Sequence, residues 1–298
     1  MPVTPSHTIR SAGIGLRTPH IKPLLEQDWD IPWLEVLTDN FLSKGNLLSG
    51  TNLDLALLDS ICERYPVTLH GVNLSLGGVA PLDKGYLNAM KQLYRRTSAA
   101  WVSEHACFSH STQHQSHDLL PLPYTAEAVE HMANRISQVQ DFLGEQILLE
   151  NVSAYLSYQN SEMSEGEFLA EVVEQSDCLL LLDINNAYVN AQNLGGTPED
   201  FFAALPLHRV REIHLAGYAD KGTYLLDAHN NPVADKVWTL YQSVLEQIPE
   251  TPTLIEWDND IPELEVLINE ATTAAQLMSK AVDKLPREAL RATQCHSP

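Results

Sequence analysis

The chain has 298 residues, 44% of them hydrophobic, enough for one large core, and a formal charge of −21 from 18 Lys and Arg against 39 Asp and Glu. So acidic a surface repels a phosphate backbone, which argues against nucleic acid as a partner, and keeps a protein soluble. The N-terminus has no apolar core of signal-peptide length and no run approaches the roughly 18 apolar residues of a membrane span, so a cytoplasmic protein away from membranes is expected.

Short apolar runs recur about every 35 residues, separated by helical patterns that are polar on one side, the rhythm of repeated βα units. The first two are IGLR (14–17) and WLEVL (33–37); Glu35 and, beyond it, Asn40 point toward the end of the second strand. VTLH (67–70) ends on His70 and leads into a loop, NLSLGG, where Asn73 and Ser75 suit a turn or a substrate contact. Asp83 then opens a helix as its N-cap. AAWVSEH (99–105) ends on His105. Cys107 follows with no separate base to activate it, and reads as packing. The segment HSTQHQSHD carries His110, His114 and His117 without carboxylate partners in sequence, and reads as an irregular, mobile lid rather than a metal box.

Thr125 and Ser164 cap the next two helices, on either side of QILLEN (146–151), which carries Glu150. CLLLLDI (178–184), with Asp183, is apolar almost throughout, as expected of a strand covered on both faces of a parallel sheet. REIHLAG (211–217) carries His214 and is followed by the D-x-H pair Asp227 and His229, whose side chains share a direction if the segment is extended. TPTLIEW (251–257) carries Glu256, with Asp258 beyond it placed to orient a histidine or water, or to cap the last helix. The final PREALRATQCHSP reads as a frayed tail, giving one domain over 1–283 and a flexible 284–298.

Eight such strands close most economically as a (β/α)₈ barrel, an α/β fold; an open doubly wound sheet is the alternative. Neither G-x-G-x-x-G nor a P-loop string is present, so nucleotide binding has no support and no organic cofactor site is expected. The four cysteines lie far apart with no C-x-x-C pair, which argues against a disulfide framework or a zinc knuckle.

Six strands carry ligand-type residues at their C-terminal ends: His70, His105, Glu150, Asp183, His214 and Glu256. A barrel brings those ends to one rim, where barrel enzymes keep their active sites. Clustered anions and imidazoles cost several kcal/mol there unless cations hold them together. Imidazoles with carboxylates and no thiolate fit Fe, Mn or Zn, and the metal then sets the chemistry, zinc toward hydrolysis and iron toward O₂. The residues alone therefore leave open an oxidative enzyme, a divalent-metal isomerase or hydrolase acting on a sugar or phosphoester, and a metal-binding scaffold without turnover.

The strings GIGLRTPH, WLEVLTDNF, LHGVNLSLGG, LLENVSAYL, LLLDINNAYVNA, EIHLAGY, LLDAHNNPV and LIEWDNDIP, spread over about residues 13 to 263, resemble the DUF692 or UPF0276 proteins, multinuclear non-haem iron-dependent oxidative enzymes. The resemblance implies a xylose-isomerase-like barrel with two or three iron ions, mixed-valent Fe(II)/Fe(III), and O₂ as co-substrate. It implies that His70, His105 and Glu150 hold one ion and that Glu150, Asp183, His214 and Glu256 hold the second. Asp227 and His229 would hold a third with Asn186, which stands where zinc endonucleases of this fold have histidine. Glu150, Asp183 and His214 would be the catalytic core, with Glu35, Asn40, Asn73, Ser75 and Asp258 around the substrate or behind the ligands. The implied substrate is a cysteine-containing, ribosomally made precursor peptide, presented by a small leader-binding partner protein.

Overall fold

A computed structural model describes residues 9–43, 46–47, 53–110 and 115–284. Eight parallel strands, β1 (Ala12–Leu16), β2 (Leu34–Leu37), β3 (Val67–His70), β4 (Val102–His105), β5 (Leu148–Glu150), β6 (Leu179–Asp183), β7 (Val210–Leu215) and β8 (Thr253–Ile255), pair in sequence order. Ala12 lies opposite Thr253, so β1 and β8 close the sheet. That closure removes both edges and overturns the open-sheet alternative. The connecting helices begin where their caps dictate: Asp83 accepts from the Gly85 and Tyr86 amides, Thr125 from Ala128, and Ser164 forms a capping box with Glu167.

Alternation along the strands sorts side chains into two cores. Outward residues such as Ile14, Val36, Leu69 and Ile213 join the helices in one large cluster. Inward residues at the lower end, Trp33, Trp101, Leu148, Leu181 and Leu254 with Ile9, form a separate apolar plug. Trp33 fits because Gly13 has no side chain: a Cβ there would come within 2.5 Å of the indole. The β6–β7 register shifts next to Leu180, leaving Arg211 exposed between buried Val210 and buried Glu212. Such a bulge adds an unpaired residue and lets Val210 face the helices while Glu212 and His214 face inward.

The segment expected to be an irregular lid is instead partly an antiparallel ribbon, Phe108–His110 against Gln115–Leu120, because backbone pairing satisfies its amides at the rim. Its His114 lies outside the described residues, as does the tail from 285 onward. Cys107 is fully buried and its thiol is pushed well above its ordinary range by burial, as a packing residue should be. No helix among the described residues is long and apolar enough to cross a membrane.

Candidate metal centre

All six strand-end residues meet inside the upper barrel. His70 is 1% exposed, His105 9%, Glu150 2%, Asp183 and His214 0%, and Glu256 4%, so none of them keeps its charge by hydration. His70, His105 and Glu150 each bring one ligand-type atom to within 4.8 Å of the others, and so do Glu150, Asp183, His214 and Glu256. Glu150 belongs to both groups: Oε2 lies 3.3 Å from His70 Nε2 and 3.1 Å from His105 Nε2, while Oε1 lies 3.8 Å from His214 Nδ1.

The protons reveal what is missing. His105 Nδ1 is 3.0 Å from the Gly71 carbonyl, which only accepts, so that nitrogen carries the hydrogen. His70 Nδ1 is 2.7 Å from Ser103 Oγ, whose own hydrogen goes to the Leu69 carbonyl, so His70 is protonated at Nδ1 too. Burial lowers the pKa of both rings, His105 to about 4 and His70 well below its ordinary value, and keeps them neutral. Two lone pairs therefore point at one carboxylate oxygen, and that oxygen, Glu150 Oε2, has no hydrogen-bond partner. A proton on Glu150 or a divalent cation among the three relieves that crowding of acceptors, and the cation alone would use both lone pairs and the oxygen together, so these residues fit a metal.

The neighbouring group is fitted in the same way. Asp183 uses Oδ1 to cap the helix Ile184–Leu194, accepting the Asn186 amide at 2.6 Å, and leaves Oδ2 buried without a partner. Asn151, next to Glu150, clamps the Asp183 backbone from both sides, N–H to Oδ1 at 2.9 Å and Nδ2 to the carbonyl at 2.8 Å. Burial, reinforced by Asp227, pushes the Asp183 carboxyl up to about 7; burial opposed by His214 leaves Glu150 well above the ordinary range. For His214 burial disfavours charge, but Glu35 and Glu256 outweigh it and raise its pKa well above normal. Its Nδ1 faces Glu256 at 3.2 Å and its Nε2 faces Glu35 at 3.2 Å and Glu212 at 3.5 Å. A ring with Nδ1 toward the centre thus donates its other hydrogen to a carboxylate beneath it.

The D-x-H pair is brought to the same mouth, His229 Nε2 lying 2.6 Å from Asp227 Oδ1. Asn186 commits Nδ2 to the Asn151 carbonyl and leaves Oδ1 buried and unpaired, the atom a metal would take. Asp227 also accepts from Asn185 Nδ2 at 2.8 Å. The mouth above is a cavity of about 310 Å³, walled in part by Leu37, Val72, Leu119, Tyr155 and Leu226.

The outer candidates separate. Glu35 stands under His214, and Asp258 bonds His229, both behind ligand-type rings. Asn73 is exposed and donates to Asp39, Ser75 is buried and anchors the Ser109 amide, and Asn40 is exposed on a 3₁₀ turn; the structure does not bring these three to the mouth. Sequence reasoning missed Arg17, Ser103 and Glu212. The signal for Glu212 and Ser103 was their place two residues before His214 and His105, on the same face of the strand.

Residues 11–279 match the family described as "RiPP precursor modification enzyme MbnB/TglH/ChrH". A UPF0276 protein of Acaryochloris marina is 48% identical over 266 residues, 89% of this chain and 94% of the relative. A UPF0276 protein of Anaeromyxobacter sp. is 44% identical, covering 93% of this chain and 96% of that one. Among solved structures, a D-tagatose 3-epimerase-like protein superposes with a TM-score of 0.57 at 14% identity, over 93% of this chain and 100% of that one. Endonuclease IV from Thermus thermophilus gives 0.57 at 15%, over 92% and 100%. These two likenesses establish the xylose-isomerase-like barrel and nothing beyond the fold.

Proposed function

This chain belongs to the MbnB/TglH/ChrH family of RiPP precursor modification enzymes, and on that premise we propose that it is a multinuclear non-haem iron enzyme that uses O₂ to oxidise a cysteine of a ribosomally made precursor peptide. The observation that carries the reading is the pair of neutral imidazoles, His70 and His105, whose unprotonated Nε2 atoms both face Glu150 Oε2. In this proposal His70, His105 and Glu150 hold one ion; Glu150, Asp183, His214 and Glu256 a second; and Asp227, His229 and Asn186 a third. When bound, iron supplies a Lewis acid for the substrate thiolate and the one-electron chemistry with O₂ that zinc lacks.

The chain's own contribution is placement and dryness. Glu150 turns one oxygen toward each of the first two groups, which fixes their relative position. Asp183 is held by its cap and by the Asn151 clamp, so its free oxygen points one way. Burial of the ligands keeps bulk water out of the space below the mouth, where the field of each charge is therefore stronger. A cavity of about 310 Å³ admits a side chain with its flanking peptide, but not a folded domain. A small partner protein that presents the peptide leader is part of the proposal.

Protein purified without oxygen should contain two or three irons per chain with mixed-valent Mössbauer spectra. Adding O₂ and a cysteine-containing precursor peptide should then consume O₂ and change the peptide's mass. Bound zinc with no iron would overturn the reading and turn attention to hydrolysis.

A further inference from the structure

We infer that Arg17 is a positioning residue: acting through Asp258, it holds His229, which with Asp227 is the loop-borne ligand pair of the third ion. The inference rests on the proposed multinuclear site. His229 differs from the other three imidazoles in standing on no barrel strand, and its φ is +44°. The sheet therefore does not orient its ring. Two other strand ends do.

The loop that follows β8 grips His229 at both ends. The His229 carbonyl accepts the Asp258 amide at 2.8 Å and the Asn259 amide at 3.2 Å. Its Nδ1 lies 2.9 Å from Asp258 Oδ2, to which it donates. Nε2 lies 2.6 Å from Asp227 Oδ1, so the ring stands between two carboxylates, Asp258 on one nitrogen and Asp227 on the other.

Asp258 works as a bridge because its two oxygens have different partners. Oδ2 takes the imidazole; Oδ1 takes both Arg17 Nε, at 2.9 Å, and Arg17 Nη2, at 2.5 Å. With 31% of its side chain exposed, Asp258 would be free to swing toward water if the guanidinium were absent. Arg17 itself is 4% exposed and leaves the end of β1 over Gly15, where a Cβ would lie 2.6 Å from Nη1. The strand is thus pared back to seat this one side chain. The two guanidinium donors converge on that single oxygen, which pins Oδ1 and leaves Oδ2 to face the imidazole. Arg17 also lies 3.9 Å from Glu256 Oε1, so it stands between the central group and the loop-borne pair.

The test counts iron in chelator-stripped protein reloaded with ferrous iron without oxygen, for the wild type, Asp227→Ala, Arg17→Gln, Arg17→Lys and Asp258→Asn. Unfolding temperatures of the metal-free forms are measured alongside. We expect three irons per wild-type chain and two after Asp227→Ala. Arg17→Gln and Asp258→Asn should bind the third iron about 10- to 100-fold more weakly, losing the Mössbauer component that Asp227→Ala loses, and Arg17→Lys should restore part of it. A purely structural tie between β1 and the β8 loop predicts a lower unfolding temperature with all irons kept, and that result overturns the inference. If Asp227→Ala leaves the iron count unchanged, the third ion itself fails, and Arg17 has nothing to position. Should Arg17→Gln not fold, Arg17→Lys, which keeps the charge but not both bonds to Asp258 Oδ1, decides in its place: a third iron bound as tightly as in the wild type overturns the inference.

Discussion

The lower and upper halves of the barrel interior are made by the same strands, two residues apart, yet they have opposite physical character. β5 places Leu148 below and Glu150 above; β6 places Leu181 below and Asp183 above; β8 ends with Leu254 below and Glu256 above. Just before β2 and β4 stand Trp33 and Trp101 below, with Glu35 two residues and His105 four residues further on above. The lower half packs as an ordinary core, where each buried side chain stabilises the fold. The upper half holds desolvated acids, with Glu35 and Asp183 each pushed to about 7 by burial, and unpaired oxygens on Glu150 and Asp183. Stability and function are thus separated along each strand by one pleat, and the upper half becomes favourable only when something positive joins it.

The sharpest way to break this contrast is Glu150→Gln, which keeps size and removes the carboxyl that both groups share. We expect iron binding in both groups and peptide turnover to fall by orders of magnitude. The metal-free variant should unfold at a temperature equal to or above that of the metal-free wild type, since the amide escapes the desolvation cost that pushes the Glu150 carboxyl up. A clear fall in the metal-free unfolding temperature would show that the upper half stabilises the fold unaided. The mirror experiment is Trp33→Ala, which should cost about 3–5 kcal/mol of stability by denaturant titration. Whatever remains folded should bind iron in full; a selective loss of iron would join the two halves that we separate.

A smaller effect is expected at the boundary. Cys107→Ser puts a hydroxyl in a packed site beside the rim ribbon, with a loss of about 1–2 kcal/mol and turnover per bound iron retained. Loss of turnover at full iron content would make that thiol part of the chemistry. Smallest of all is Glu270→Gln, outside both halves. Burial raises Glu270 to about 7, against the pull of the Val233 amide that it accepts at 3.1 Å. A carboxyl raised in the folded state binds more protons folded than unfolded between its ordinary value and 7, so it makes stability fall as pH rises through that window. Replacing it with Gln, which still accepts the amide, should flatten that slope slightly in melting curves taken from pH 4.5 to 8; an unchanged slope would refute the assignment.

Much of the site was legible in the sequence because strands announce their own ends: an apolar run stopping at His70, Glu150 or Asp183 marks a polar side chain at a barrel rim. The N-caps at Asp83, Thr125 and Ser164 were equally plain, since capping is a local contest between one side chain and a few backbone amides. The rim ribbon was misread because its pairing partner, Gln115–Leu120, has no alternating apolar pattern to reveal it. Asn40, Asn73 and Ser75 lie near the strand ends in sequence, whereas Asn40 is exposed on its 3₁₀ turn and the bonds of Asn73 and Ser75 face the loops.

By itself the sequence determined the number and phase of the strands and which residues stand at their upper ends, because those features depend on contacts a few residues long. The proton positions on His70 and His105, the double duty of Glu150, and the tie from Arg17 through Asp258 to His229 were decided only by the closed barrel. Each of them depends on partners from different strands or loops, up to 241 residues apart for Arg17 and Asp258. Coulomb energy and hydrogen bonding depend on distance in space, and closure of the sheet is what sets that distance.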